Sequence, residues 1–116
     1  MLGLMTGDTR TVQAIMRCAN ATRDNPRTRY SIEPSELVSV QRMARERALE
    51  IVGFYHSHPD HAARWSETDF AEAHWIGCSY VITEVWQGHA RLSRSFALTG
   101  HTEEDKEFID EEIVVE

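Results

Sequence analysis

In "GFYHSHPDHAARWSETD", residues 53–69, His56 and His58 stand two apart, and Asp69 follows the second histidine by eleven positions. Strand side chains alternate between faces, so on a strand both imidazoles point one way and Ser57 the other. Neutral imidazole suits a borderline cation such as zinc. Two histidines leave such an ion under-coordinated. Asp69 can supply the third ligand, leaving one position open for a water whose pKa zinc lowers towards about 7. The pair alone is a weak signal, so the flanking residues matter. Ser66-x-x-Asp69 has the form of a capping box, with Asp in place of the usual Glu or Gln. It starts a helix at Ser66 and puts Asp69 in the first turn, where the positive helix end favours a carboxylate. A serine that caps can also present its hydroxyl to a substrate. His61, in the intervening loop, could be a metal ligand or a group supporting the ligands, and fits a solvated side chain more readily than either. His74, His89 and His101 show no partner pattern.

The elements around this stretch are legible in outline. "MLGLMTG" reads as a short buried strand ended at Gly7-Asp8. "TVQAIMRCAN" reads as a second strand, with Val12, Ala14 and Met16 alternating against Thr11, Gln13 and Ile15. "ATRDNPRTR" has loop composition, and "YSI" is a brief extended piece. Pro34 opens a helix, where its missing N–H is not needed. Leu37, Val40, Ala44 and Ala48 recur there at helical spacing. "IVGFYHSH" is a β-rich run stopped by Pro59. After the loop comes a helix over "ETDFAEAHW". "CSYVITEVW" and "HARLSRSFAL" then form a hairpin through Gln87-Gly88. The last residues are ambiguous between helix and strand. The expected fold class is α/β (α+β), a mixed sheet flanked by helices.

The chain has 116 residues, consistent with one domain over 1–116. A net charge of −7 disfavours nucleic-acid and anionic-membrane surfaces, which require clustered positive charge. Much of the acidity lies in "EEDKEFIDEEIVVE", residues 103–116, a composition usual for a solvated end. The two cysteines, Cys18 and Cys78, form no CxxC pair and fit a reducing, cytoplasmic setting. No apolar run reaches the roughly 18 residues of a membrane helix.

The stretch from His56 to Asp69 resembles the JAMM motif of the MPN (JAB) zinc metalloprotease family: His-x-His-Pro, a loop, then Ser-x-x-Asp. "RYSIEPSELVSVQRMARERALEIVGFYHSHP", "AEAHWIGCSYVITEV" and "GLMTG" are similar to the surrounding segments of bacterial and archaeal members. The resemblance covers most of residues 3–98. It implies that His56, His58 and Asp69 bind zinc and that Ser66 stabilises the oxyanion formed when water attacks a peptide or isopeptide carbonyl. It implies substrates of the ubiquitin-like or sulfur-carrier class, cleaved at their C-terminal tails, and a fold similar to cytidine deaminases. A non-catalytic MPN scaffold is the alternative.

Two departures stand out. Trp65 occupies the place where a proline commonly precedes the serine. The family's general-base glutamate lies three positions before the glycine that aligns with Gly3, which here falls just before Met1. Glu33, Glu36, Glu50 and Glu67 do not replace it. The resemblance also implies a further leading strand and helix, and this sequence shows neither. The expectation is a chain begun at an internal methionine, able to bind zinc, slowed by loss of the base, and self-associating through surface that the leading helix would cover.

Overall fold

The computed structural model describes residues 2–8, 11–18, 32–59 and 62–115. Among these described residues six strands and two helices follow one another as β1 (Leu2–Asp8), β2 (Thr11–Arg17), α1 (Pro34–Glu46), β3 (Glu50–Pro59), α2 (Glu67–Glu72), β4 (Ser79–Trp86), β5 (His89–Thr99) and β6 (Glu107–Glu111). The chain divides into two compact units, Met1–His56 and Ser57–Glu116. The division falls inside the continuous strand β3.

In the first unit β1 lies between β2 and β3, antiparallel to both. Residues 2–7 of β1 are buried without a break, as expected for a strand flanked on both edges. In β2, Ala14 and Met16 are half-buried, as the alternation predicts, whereas Val12 is 45 % exposed. The register shifts between Thr6 and Gly7, which pairs Val12 with Gly7 and breaks the alternation at that point. Gly3 has no room for a side chain, since a Cβ there would strike the Met16 carbonyl and the Tyr55 ring. Helix α1 starts with Pro34 in its first turn and buries Val40 and Ala44. It packs against β1. It ends before Ala48, which the helical spacing would have included. Ala48 takes a φ of 56°, its N–H donates to the Arg45 carbonyl (3.1 Å), and the Leu49 N–H donates to Ala44 (2.7 Å). This is a Schellman-type stop with alanine where glycine is usual.

In the second unit β5 lies between β4 and β6, antiparallel to each. The β4–β5 hairpin turns at Gln87 (φ 51°) and Gly88 (φ 83°), the backbone of a two-residue primed turn. Ala63, Ile82 and Phe96 form a core cluster with Phe108 packed against it. The terminal acidic segment is not merely solvated: Glu107–Glu111 is strand β6. Two contacts to β5 offset its charge, Arg94 to Asp110 (3.3 Å) and the Ser95 hydroxyl donating to Glu111 (2.6 Å). Helix α2 stops at Glu72, three residues short of the sequence expectation. Ala73 is extended, and the Trp75 N–H donates to the Tyr80 hydroxyl (3.1 Å). Burial pushes that phenol's pKa up to about 12.

The α+β class expected from the sequence is the one found. The "ATRDNPRTR" loop, Tyr30 and Ser31 of the "YSI" piece, and His61 lie outside the described residues. Among the described residues, no helix is long and apolar enough to cross a membrane.

Candidate metal centre

Strand β3 delivers both histidines. His56 is buried and His58 is half-buried, two residues further along the same strand. The loop then returns the chain to Ser66, which caps α2. The capping box is complete: the Asp69 N–H donates to Ser66 Oγ (3.1 Å) and the Ser66 N–H donates to Asp69 Oδ2 (2.8 Å). Asp69 is thereby fixed as the third residue of the helix, 3 % exposed, with its carboxylate turned to the strand. Its Oδ2 lies 3.0 Å from His58 Nε2.

His58 is oriented from its other side. Nδ1 stands 3.1 Å from the Ala62 carbonyl oxygen. A carbonyl can only accept, so Nδ1 carries the hydrogen, and in the neutral ring Nε2 presents a lone pair. That lone pair and Asp69 Oδ2 are both acceptors facing each other. A proton between them resolves the conflict, and the Asp69 hydrogen bond is the main reason the His58 pKa is raised, against the opposing effect of burial. A divalent cation resolves it equally well. One ligand atom from each of His56, His58 and Asp69 lies within 4.8 Å of the others. Tetrahedral zinc with ligands near 2.0–2.2 Å sets its donors about 3.4 Å apart, inside the range between the His58–Asp69 contact and that upper bound. Two imidazoles and one carboxylate, closely spaced and largely buried, fit a divalent ion with a coordination position to spare.

The residues 1–99 match the family described as prokaryotic homologs of the JAB domain. This chain belongs to that family. The JAB assignment agrees with the resemblance carried by the His-x-His-Pro and Ser-x-x-Asp segments. Over 82 residues the chain is 38 % identical to Desampylase of Haloferax volcanii, a match covering 69 % of this chain and 58 % of the relative. It therefore spans little more than half the length of that curated protein. A solved structure from Salinibacter ruber is 33 % identical with a TM-score of 0.71, covering 97 % of this chain and 75 % of that one. Another, from Desulfitobacterium hafniense, shares the fold at 24 % identity with a TM-score of 0.79, covering 99 % and 77 % of the two chains.

The structure brings the residues singled out in sequence together: His56, His58 and Asp69 in one group, with Ser66 bonded to Asp69. It also adds two that spacing did not reveal. The Lys106 ammonium donates to the carbonyls of Phe70 (3.0 Å) and Ala73 (2.8 Å), so it satisfies the end of α2. It also meets Glu103 at 2.8 Å and lies 4.9 Å from the Phe70 ring centroid. Glu84, on β4, accepts the Ala63 N–H at 3.1 Å. Trp65, in the proline place, rests on Phe70 and Phe108 with both ring centroids at 5.4 Å, bracing the residue next to Ser66 with aromatic packing instead of a fixed φ. His74, unassigned from sequence, meets Glu103 at 2.9 Å.

Proposed function

We propose that this chain carries the zinc site of a JAMM-type metallopeptidase that hydrolyses peptide or isopeptide bonds at the C-terminal tails of ubiquitin-like or sulfur-carrier proteins. The observation that carries this reading is the convergence of His56, His58 and Asp69 ligand atoms beside a capping serine. Family membership and the relative named Desampylase support a hydrolase acting on such a tail.

His56, His58 and Asp69 would hold the ion, which when bound supplies a Lewis acid and an activated water. The Ala62 carbonyl keeps the His58 ring in the tautomer whose Nε2 lone pair faces inward. Ser66 Oγ accepts from the Asp69 N–H, and this bond uses a lone pair and leaves the hydroxyl hydrogen able to donate. Ser66 is exposed, so that hydrogen can reach a substrate oxygen as it becomes negative. The capping box thus gives one serine two tasks on opposite sides of its oxygen.

The test uses the protein as its gene encodes it. Metal analysis is expected to return one zinc per chain. A ubiquitin-like protein joined through Gly-Gly to a reporter is expected to be cleaved, with cleavage stopped by chelation. His58→Ala is expected to weaken zinc binding by more than about 100-fold, beyond the usual cost of losing a mere supporting partner. Zinc uptake with no cleavage of any such tail would favour the scaffold alternative, and failure to take up metal would overturn the proposal.

A further inference from the structure

The peptide group between Ala62 and Ala63 is bonded on both sides. Its carbonyl oxygen accepts from His58 Nδ1 at 3.1 Å, and its N–H donates to Glu84 Oε2 at 3.1 Å. In a trans peptide these two groups point in opposite directions, so the imidazole and the carboxylate stand at the two ends of one planar, polarisable unit. We infer that Glu84 is a positioning residue for His58, acting through the Ala62–Ala63 peptide to hold the imidazole in place and to raise electron density at its metal-facing Nε2.

The inference rests on the proposed metal centre and deepens it. A metal-binding histidine commonly donates its second ring N–H to a carboxylate or a backbone carbonyl, which orients the ring and raises its basicity. Here a carbonyl touches the ring and a carboxylate stands one peptide behind it. Negative charge on Glu84 pulls the Ala63 N–H, pushes density onto the Ala62 oxygen, and strengthens that oxygen as an acceptor for Nδ1–H. Hydrogen bonds in series reinforce one another in this way, most strongly where water is excluded. Ala63 is 2 % exposed, so water does not compete freely for its N–H. The same contact anchors the loop joining His58 to Ser66 and Asp69, so its geometry bears on three of the four residues of the proposed site. Glu84 lies on β4, whose next-but-one residue Ile82 is in the core cluster with Ala63. A strand rooted in the core gives the carboxylate a fixed origin.

Glu84→Gln separates charge from position. The amide oxygen still accepts from the Ala63 N–H, so a purely structural tether survives while the negative charge is gone. Zinc affinity would be measured by competition against a chromophoric chelator for the native protein, Glu84→Gln, Glu84→Ala and His58→Ala. The expected result is a fall of about 3–10-fold for Glu84→Gln and about 10–100-fold for Glu84→Ala, the range seen when outer partners of metal ligands are lost. In the metal-free protein, the His58 Nδ1 proton resonance is expected to move upfield in Glu84→Gln, a readout that needs no zinc and survives if Glu84→Ala misfolds. Native-like affinity together with an unmoved resonance in Glu84→Gln would overturn the inference while leaving the metal centre standing. Failure of the native protein to bind zinc would bring down both.

Discussion

Helices α1 and α2 are held in opposite ways. α1 has thirteen residues, no side-chain bond at its N-cap Glu33, and a backbone-only stop at Ala48. It relies on one buried stripe and on ordinary helix propensity. α2 has six residues, too few to persist unaided, and is fastened at each end by side chains: the Ser66–Asp69 box at the start and the Lys106 ammonium at the finish. The longer helix contributes packing, whereas the shorter one, with its N-cap Ser66, presents two of the four candidate site residues. A segment that must place a carboxylate to a fraction of an ångström gains more from clamps than from length, because clamps restrain position and propensity restrains only conformation.

The contrast can be broken most severely at Lys106. Lys106→Met should strand the Phe70 and Ala73 carbonyls, costing about 2–4 kcal/mol by urea unfolding, and should weaken zinc binding at the proposed centre as α2 loosens. Equal zinc affinity in the variant would show that α2 does not need its C-terminal clamp. Ser66 comes next, where two substitutions sharpen the comparison. Ser66→Ala should cost about 1 kcal/mol as a lost cap, and Ser66→Gly only a few tenths. Both should lower kcat by about 10²–10³ if the hydroxyl serves the oxyanion. In α1, Ala48→Gly should stabilise the protein by about 0.5–1 kcal/mol, since glycine adopts the positive φ without a Cβ penalty. A loss there would mean that the Ala48 methyl group does more than tolerate the turn. The smallest effect concerns the loop leading to Lys106. The Asp105 carboxylate accepts from the N–H groups of Thr102 and His101, the main causes that hold its pKa down at about 2, below the ordinary 3.8. A lowered folded-state pKa contributes stability that is complete above the unfolded value and fades as pH falls through the folded one. The urea midpoint should therefore drop slightly from pH 4 to pH 2, and Asp105→Asn should flatten that slope.

Much of the candidate site was readable because its residues fall in one short stretch. Strand alternation put His56 and His58 on one side, and the Ser66–Asp69 box announced both the helix start and the carboxylate. Lys106 and Glu84 gave no such notice. They act on Phe70 and Ala63 from 36 and 21 residues away, and no local spacing encodes a contact made by folding. The end of α2 was misjudged for the same reason. "AEAHW" has the composition to continue a helix, but the Tyr80 hydroxyl and Lys106 draw its backbone away. β6 was obscured by its acidity, since the partners that offset it, Arg94 and Ser95, belong to another strand. Among the described residues the class of fold came through because period and turn chemistry are local properties. Gln87-Gly88 and Pro34 marked their elements correctly.

Trp65 sits one residue before Ser66, 40 % exposed, with its indole against Phe70 and Phe108. Any event that shifts the serine's loop must change the surroundings of that ring. With Trp75 and Trp86 replaced by phenylalanine, its emission would give the protein an optical gauge of the loop beside the candidate metal centre, readable in a stopped-flow cell without a label.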